Sequence, residues 1–306
     1  MRIRFAVILG FLVLSGTAAG MASGVIAVQP SAGWRELPSR FDLLVSLALV
    51  LGAWSVFRFG PQRLRWLGLG LSSAASLRYL FWRASTTLAL DSPVDATACV
   101  LLFAAECYTV SLLLLGHFQT YKPRHRSTPQ VPADVVWPDV DVFITTMNES
   151  VDVVRRTALG CRAMRYAGSK RVWILDDGHR AEMRALAEGL GLGYLTREDN
   201  LHAKAGNLNS ALKHTRGALI AQFDADHVPV ASFLEETVPF LLVDEQLAFV
   251  QTPHHFFNPD VYQRNLLLGS TVANEQDLFF KVLQPGNDHW NAAFFCGSNA
   301  VLRRAA

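Results

Sequence analysis

Four apolar runs near the N-terminus, at residues 5–28, 41–57, 64–82 and 97–116, constrain this chain more than any other feature. Each spans roughly 17 to 24 residues, enough for one helix to cross a bilayer core of about 30 Å. Long apolar runs largely stop near residue 118, although the whole chain still has a mean hydropathy of +0.21. The pattern predicts two parts built for two solvents, an all-α transmembrane segment of about four helices over residues 1–120 and a water-facing part after it. A length of 306 residues has room for both.

The loops predict orientation. Arg58, Arg63 and Arg65, and then Lys122, Arg124 and Arg126, sit in segments without acids, whereas the alternate loops carry Glu36 or Asp91 and Asp95. Basic loops stay cytoplasmic, which places everything after residue 118 in the cytoplasm of a multi-pass inner-membrane protein. The first run also fits a secretory signal peptide, because Arg2 and Arg4 precede it and GTAAGMAS follows. Either reading leaves the later orientation unchanged. Arg78 and Glu106 fall inside predicted spans, where ionisable residues usually face protein or water. Pairing between helices, or snorkelling of Arg78, explains them better than a polar pathway; if the two pair with each other, exchanging them should restore folding lost in either single mutant.

Net charge is +2 and no basic stripe is present, so a nucleic acid partner is not expected. The four cysteines contain no CxxC pair, which argues against a disulfide framework or a zinc site. Residues 121–138, with four prolines and a basic cluster, read as a cytoplasmic linker.

Beyond the linker, short apolar runs alternate with helical stretches. VDVFITTMN, RVWILDD, LGYLT, ALIAQFD and LAFVQT read as strands, with helices at 151–166, 179–190, 206–214 and 232–242. This alternation predicts an α/β domain over 139–306 with a mainly parallel sheet flanked by helices. Ligands of such sheets bind beyond the carboxyl ends of the strands.

At those ends lie Asn148 and Glu149, then Asp176, Asp177 and Gly178, then Asp224, Asp226 and His227. Any one group is explained by turn and cap formation. Together, five carboxylates in one crevice should repel one another unless a cation is present. Oxygen donors without cysteine favour Mg2+ or Mn2+, with substrate phosphates completing the shell. In REDNLHAKAGNLNSAL, Lys204 precedes Gly206 and a predicted helix, so it offers a point charge to a phosphate, with the helix N-terminus adding to it. A solvated loop lysine is the plain alternative. No GxxxxGK[ST] or GxGxxG motif occurs. Near the end, NAAFFCGSNAVLRR offers Phe294 and Phe295 either to a sugar face or to the core. Cys296 has no nearby base to make it a nucleophile.

The ordered set DDG (176–178), HAKAGN (202–207), FDADH (223–227), QTPHHFFNPD (251–260) and FFCGS (294–298) closely resembles the catalytic subunits of bacterial cellulose synthases. Those are processive, inverting family 2 glycosyltransferases of GT-A fold. SLRYLFWR and GHFQTYKPRHR extend the resemblance into the membrane half. It implies a UDP-glucose- and Mg2+-dependent enzyme that lengthens a β-1,4-glucan, commonly with a periplasmic membrane-anchored subunit. By that resemblance Asn148, Glu149, Asp176 and Asp177 bind the nucleotide and Lys204 the diphosphate. Asp224 and Asp226 bind the metal with His227 beside it, and Phe294, Phe295, Cys296, Gly297 and Ser298 form the acceptor patch.

The match has two departures. Met147 stands where many relatives have tyrosine, which weakens the expected aromatic contact with uracil. The family's TED motif, which carries the general base, and its QxxRW motif do not occur in these residues, so the GT-A domain is expected to be incomplete at its C-terminus. Loss of a general base typically costs about 10²- to 10⁴-fold in rate. The expectation is therefore a chain that binds donor without polymerising glucose. A transferase using another UDP-sugar and a non-catalytic UDP-sugar-binding membrane protein remain the alternatives.

Overall fold

A computed structural model of the chain describes residues 40–267, 273–274 and 276–306. The first predicted membrane run, 5–28, lies outside these residues. The chain divides into two compact units, one of the described residues up to 124 with those of 255–293, the other of 125–254 with 294–306.

In the first unit, α1 (Arg40–Phe59), α2 (Arg65–Thr86) and α3 (Pro93–Thr120) correspond to the second, third and fourth apolar runs. Helix α1 stops at Gly60-Pro61, where a Cβ on residue 60 would sit 2.5 Å from the Val56 carbonyl oxygen and proline cannot continue the ladder. Helix α3 starts at Ser92, whose side chain accepts from the Asp95 amide at 3.1 Å, with Pro93 in the first turn. Among the described residues, α1 from Asp42 onward and α3 are long and apolar enough to cross a membrane; α2 is not. The difference comes from the Arg, Ser and Gly content of α2.

Small residues let these helices approach, with Gly52 near Leu71 and Gly68 against the ring of Phe57. Arg78 and Glu106 each pair between helices, though not with each other. Arg78 pairs with Asp42 of α1, and Glu106 lies 3.2 Å from Arg83 of the longer α2. At the end of α3, Phe118 stacks on Trp290 with ring centroids 4.4 Å apart. Arg124 N donates to Pro285 O at 2.8 Å, securing α9 (Gln284–His289), which follows the short α8 (Val261–Asn265) and a π-helical turn, Phe279–Leu283.

The second unit opens with residues 125–139, which form neither helix nor strand. It then runs β1 (Val140–Thr146), α4 (Val151–Ala163), β2 (Lys170–Asp176), α5 (Ala181–Leu190), β3 (Gly193–Leu195), α6 (Ala203–His214), β4 (Leu219–Asp224), α7 (Phe233–Val243), β5 (Phe249–Gln251) and β6 (Ala300–Arg303). The sheet order is β3-β2-β1-β4-β6-β5. Strands β1 to β4 pair in parallel, while β6 lies antiparallel between β4 and β5.

Every residue of β1 is buried because helices cover both faces. Alternation along the strands sorts the core. Val142, Ile144, Ile174, Ala221 and Phe223 pack with α4, α5 and α7, whereas Phe143, Leu175 and Ile220 pack with Ala211 of α6. Cys161 is fully buried in the larger cluster, and burial pushes its thiol pKa up, as suits an inert core side chain. Arg304 staples the last strand, reaching Asp141 and Thr215 at 2.9 Å each and the Leu212 carbonyl at 3.0 Å.

This topology positions a site. Parallel β1, β2 and β4 end at one edge, with Thr146 level with Asp176 and Thr145 level with Asp224. Because β6 runs the other way, residues 294–299 enter from that same edge.

Candidate functional site

The two acidic strand ends are held differently. After β2, Asp176 is fully buried. Its carboxylate accepts from Gly178 N at 3.0 Å, Arg180 N at 2.7 Å and Tyr194 OH at 3.0 Å, and Arg180 Nη2 lies 3.2 Å away. Burial, followed by the hydrogen bond to Asp176, pushes the Tyr194 phenol up to about 12. Arg180 also donates to Thr146 Oγ1 at 2.8 Å and to the Glu149 carbonyl. Asp177 makes a fork with Arg197, Nε to Oδ1 and Nη2 to Oδ2, both at 2.8 Å. Gly178 is required by close approach, since a Cβ there would lie 2.1 Å from the Met147 carbonyl oxygen.

These pairings correct the repulsion argument. Asp176 and Asp177 need no external cation, because guanidinium groups from neighbouring loops neutralise them. Glu149 is also used locally, accepting from Thr146 Oγ1 at 2.8 Å and Met147 N at 2.9 Å. Burial raises its pKa, but these hydrogen bonds outweigh it and the net shift is downward. Asn148 and Met147 are exposed in the turn after β1.

Helix α6 begins at Ala203, three residues before the expected start, so Lys204 lies in its first turn. His202 and Ala203 both take positive φ, at 59° and 44°, a costly conformation that a local sequence pattern does not anticipate. Gly206 is therefore inside the helix. A Cβ there would meet the Leu201 carbonyl oxygen at 2.0 Å and Arg197 Nη1 at 2.4 Å, so close packing of the turn already requires glycine here. Arg197 holds the same turn through the carbonyls of Leu201 at 2.7 Å and Ala203 at 2.8 Å.

After β4, the Lys204 ammonium contacts Asp224 Oδ1 and the Gly297 carbonyl. Asp226 is 72% exposed. His227 Nδ1 stands 2.8 Å from Ser298 Oγ, which also accepts from Asp224 N at 2.9 Å. Gln251 clamps the loop before β6, accepting from Cys296 N and donating to the Ser298 carbonyl, both at 2.8 Å. His254 Nε2 lies 3.3 Å from that carbonyl. Gly297 has φ 88°, which favours glycine. Phe294 is half exposed, and Phe295 and Cys296 are partly covered.

The structure thus joins Lys204, Asp224, His227, Gly297 and Ser298 into one cluster. It ties Glu149 and Asp176 together through Arg180, and Asp177 to the start of α6 through Arg197. Sequence reasoning missed Arg180, Arg197, Tyr194, Gln251 and His254. Arg197 had a usable signal, a basic residue just past the third predicted strand on the edge that carries the acids.

Among the described residues no cluster of three or more His, Cys, Asp or Glu side chains is arranged to hold a metal ion alone. Asp224 and Asp226 nevertheless suit a hard cation that draws its other oxygens from a ligand, and the Lys204 ammonium already occupies a cationic position on Asp224.

The chain is 45% identical over 267 residues to the cellulose synthase catalytic subunit [UDP-forming] of Xanthomonas axonopodis pv. citri (strain 306), covering 87% of this chain and 37% of that one. It is 47% identical over 252 residues to the corresponding subunit of Pseudomonas fluorescens (strain SBW25), covering 81% and 34%. The chain therefore spans little more than a third of the length of these relatives. Among solved structures, a mannosyltransferase from Pyrobaculum calidifontis in complex with GDP-Man and Mn2+ is 22% identical, with a TM-score of 0.40, over 51% of this chain and 46% of that one. The sequence profile described as Glycosyl transferase family 2 matches residues 141–306, which contain every residue of the site. A mixed α/β sheet with this site at its carboxyl edge, under a profile match to more than half the chain, shows that the protein belongs to glycosyl transferase family 2.

Proposed function

We propose that the site binds UDP-glucose with Mg2+ or Mn2+ as the donor site of a membrane-bound, inverting β-1,4-glucan synthase. The observation that carries this reading is the Lys204 ammonium held between Asp224 and the Gly297 carbonyl at the edge where three parallel strands end. A single cationic group there meets the acidic strand end and the loop before β6 together, as a sugar diphosphate placed between donor and acceptor requires.

Asp176 and Asp177 face the nucleoside. Each carboxylate has about four lone-pair positions, so Asp177 keeps acceptor capacity after its two bonds from Arg197. Asn148, Glu149 and Met147 come from the neighbouring turn after β1, with Met147 as a soft apolar contact for the base. Lys204 takes the diphosphate, aided by the N-terminus of α6. Asp224 and Asp226, with His227 beside them, hold the divalent cation together with the substrate phosphates. When bound, the cation supplies charge neutralisation for the departing diphosphate. Phe294, Phe295, Cys296, Gly297 and Ser298 present the glucan end, with the aromatic rings against sugar faces.

The fourfold membrane anchoring, cytoplasmic orientation, inner-membrane location and periplasmic partner subunit belong to the same proposal. It draws on the names of the relatives, on the apolar helices α1 and α3 and on the basic loops. These residues supply donor binding; the proton acceptor for the attacking hydroxyl is not assigned among them. Titration of the detergent-solubilised chain with UDP, UDP-glucose and UDP-N-acetylglucosamine, with and without Mg2+ or Mn2+, tests the reading. Cation-dependent binding with UDP-glucose preferred is expected. Absence of UDP binding in either metal overturns the donor site, and preference for the N-acetylated sugar overturns the glucan assignment.

A further inference from the structure

Ser298 is fully buried, and its hydroxyl meets three polar groups at the edge of the sheet. Its oxygen lies 2.9 Å from Asp224 N, 2.8 Å from His227 Nδ1 and 3.1 Å from Asn299 Oδ1. A hydroxyl has one proton and two lone pairs. The Asp224 amide is a donor and takes one lone pair. The Asn299 carbonyl oxygen only accepts, so it takes the proton. His227 is left facing the second lone pair, and a lone pair is satisfied there only by an N–H.

We infer that Ser298 and Asn299 together hold a proton on His227 Nδ1, which turns Nε2 toward Asp226. The opposite arrangement, with the hydroxyl proton given to His227, sets a hydroxyl lone pair against the Asn299 oxygen and forfeits a hydrogen bond in a buried place. His227 Nε2 lies 3.8 Å from Asp226 Oδ1, beyond hydrogen-bond reach, so Asp226 does not reverse the assignment. In a neutral imidazole a proton on Nδ1 is the minor tautomer of the free side chain, so the protein must impose it. The tautomer of an imidazole is set by the partner of its other nitrogen.

The backbone around the pair is built to hold it. Asn299 has φ 56°, a conformation asparagine tolerates, and its amide donates to the Gln222 carbonyl at 2.8 Å. The Ser298 carbonyl is held by Gln251. Ser298 is therefore a positioning residue. One side chain in the proposed acceptor loop anchors the backbone of Asp224 and orients the imidazole next to Asp226, so the two halves of the site are set by the same hydroxyl. The inference deepens the donor-site reading above and rests on it for its purpose, although the tautomer itself is a property of the ligand-free chain.

The test is nitrogen NMR of the detergent-solubilised chain labelled with 15N-histidine, with the His227 signal assigned by its loss in H227Q. The expected pattern in ligand-free protein above neutral pH is protonation at Nδ1. S298A removes the acceptor, and N299G removes the proton sink while keeping the positive φ. Both should move His227 toward Nε2 protonation, and S298T should restore the parent pattern. Mn2+ binding in the presence of UDP, read by electron paramagnetic resonance, should weaken by about 10-fold or more in S298A, the scale of lost support to a metal site. It should stay near the parent value in S298T. Protonation at Nε2 in the parent, or an unchanged pattern in both S298A and N299G, overturns the inference. If the parent binds no Mn2+ with UDP, the donor-site reading fails, while the ligand-free spectra still decide the tautomer.

Discussion

The ends of β2 and β4 look alike in sequence, Asp-Asp-Gly in one and Asp-Ala-Asp in the other, yet they are built for opposite purposes. Asp176 and Asp177 are buried and paired with Arg180 and Arg197, and the Asp177 partner has a rigid bidentate fork at 2.8 Å. Asp224 and Asp226 are 36% and 72% exposed, and the cation on Asp224 is a lysine ammonium that is itself 36% exposed. A planar guanidinium in a buried pair holds a carboxylate in one place. A flexible ammonium at the surface leaves it available to exchange partners. On the proposed reading the first pair gives the site its shape, and the second is where the cation is loaded.

The largest expected effect comes from breaking the first pair. R197M leaves the Asp177 carboxylate buried without its partner and should lower the stability of the solubilised chain by about 3–5 kcal/mol. Thermal unfolding measures this, and an unchanged midpoint would place Asp177 with the loadable carboxylates. Next in size is K204A. The exposed pair it breaks contributes about 1 kcal/mol or less to stability, but UDP affinity with Mn2+ should fall about tenfold, close to 1.4 kcal/mol. A calorimetric titration that finds parent-like affinity would erase the functional half of the contrast.

The smallest effect sharpens the rigid half. Y194F removes the hydrogen bond to Asp176 and should cost about 1 kcal/mol near neutral pH. The Tyr194 pKa is raised from 10.0 to about 12, so its contribution is complete below pH 10 and is lost as pH rises toward 12. The stability difference between parent and Y194F should shrink over that window. A difference independent of pH would mean that the phenol does not sense Asp176.

Much of the fold was readable because its signals are local. Runs such as VDVFITT and ALIAQFD are mostly apolar, as strands covered on both faces tend to be, and helical stretches separate them. The carboxyl-edge placement of Asp176, Asp177, Asp224 and Asp226 followed from that alternation. The start of α6 was misplaced because positive φ at His202 and Ala203 is imposed by the loop that Arg197 ties down. The packing neighbour of Gly206, the Leu201 carbonyl, is found only in the folded turn. The partner of Arg78 was not legible because helix rotation decides which side of α2 meets α1.

By itself, the sequence determined the contrast between an apolar helical part and an α/β part, the alternation of strands and helices along the latter, and which residue types arrive at the strand ends. Each of these follows from runs and periods within about twenty residues. Only the tertiary structure decided which charges meet. It set Arg180 and Arg197 on the first acidic pair, Lys204 on the second, and Ser298 beneath His227, with β6 inserted antiparallel to bring its loop to the same edge. Ion pairs and hydrogen bonds act over a few ångströms in space. Their partners come from distant segments, 163 residues apart for Arg304 and Asp141, and the chain must fold before they can be told from their neighbours.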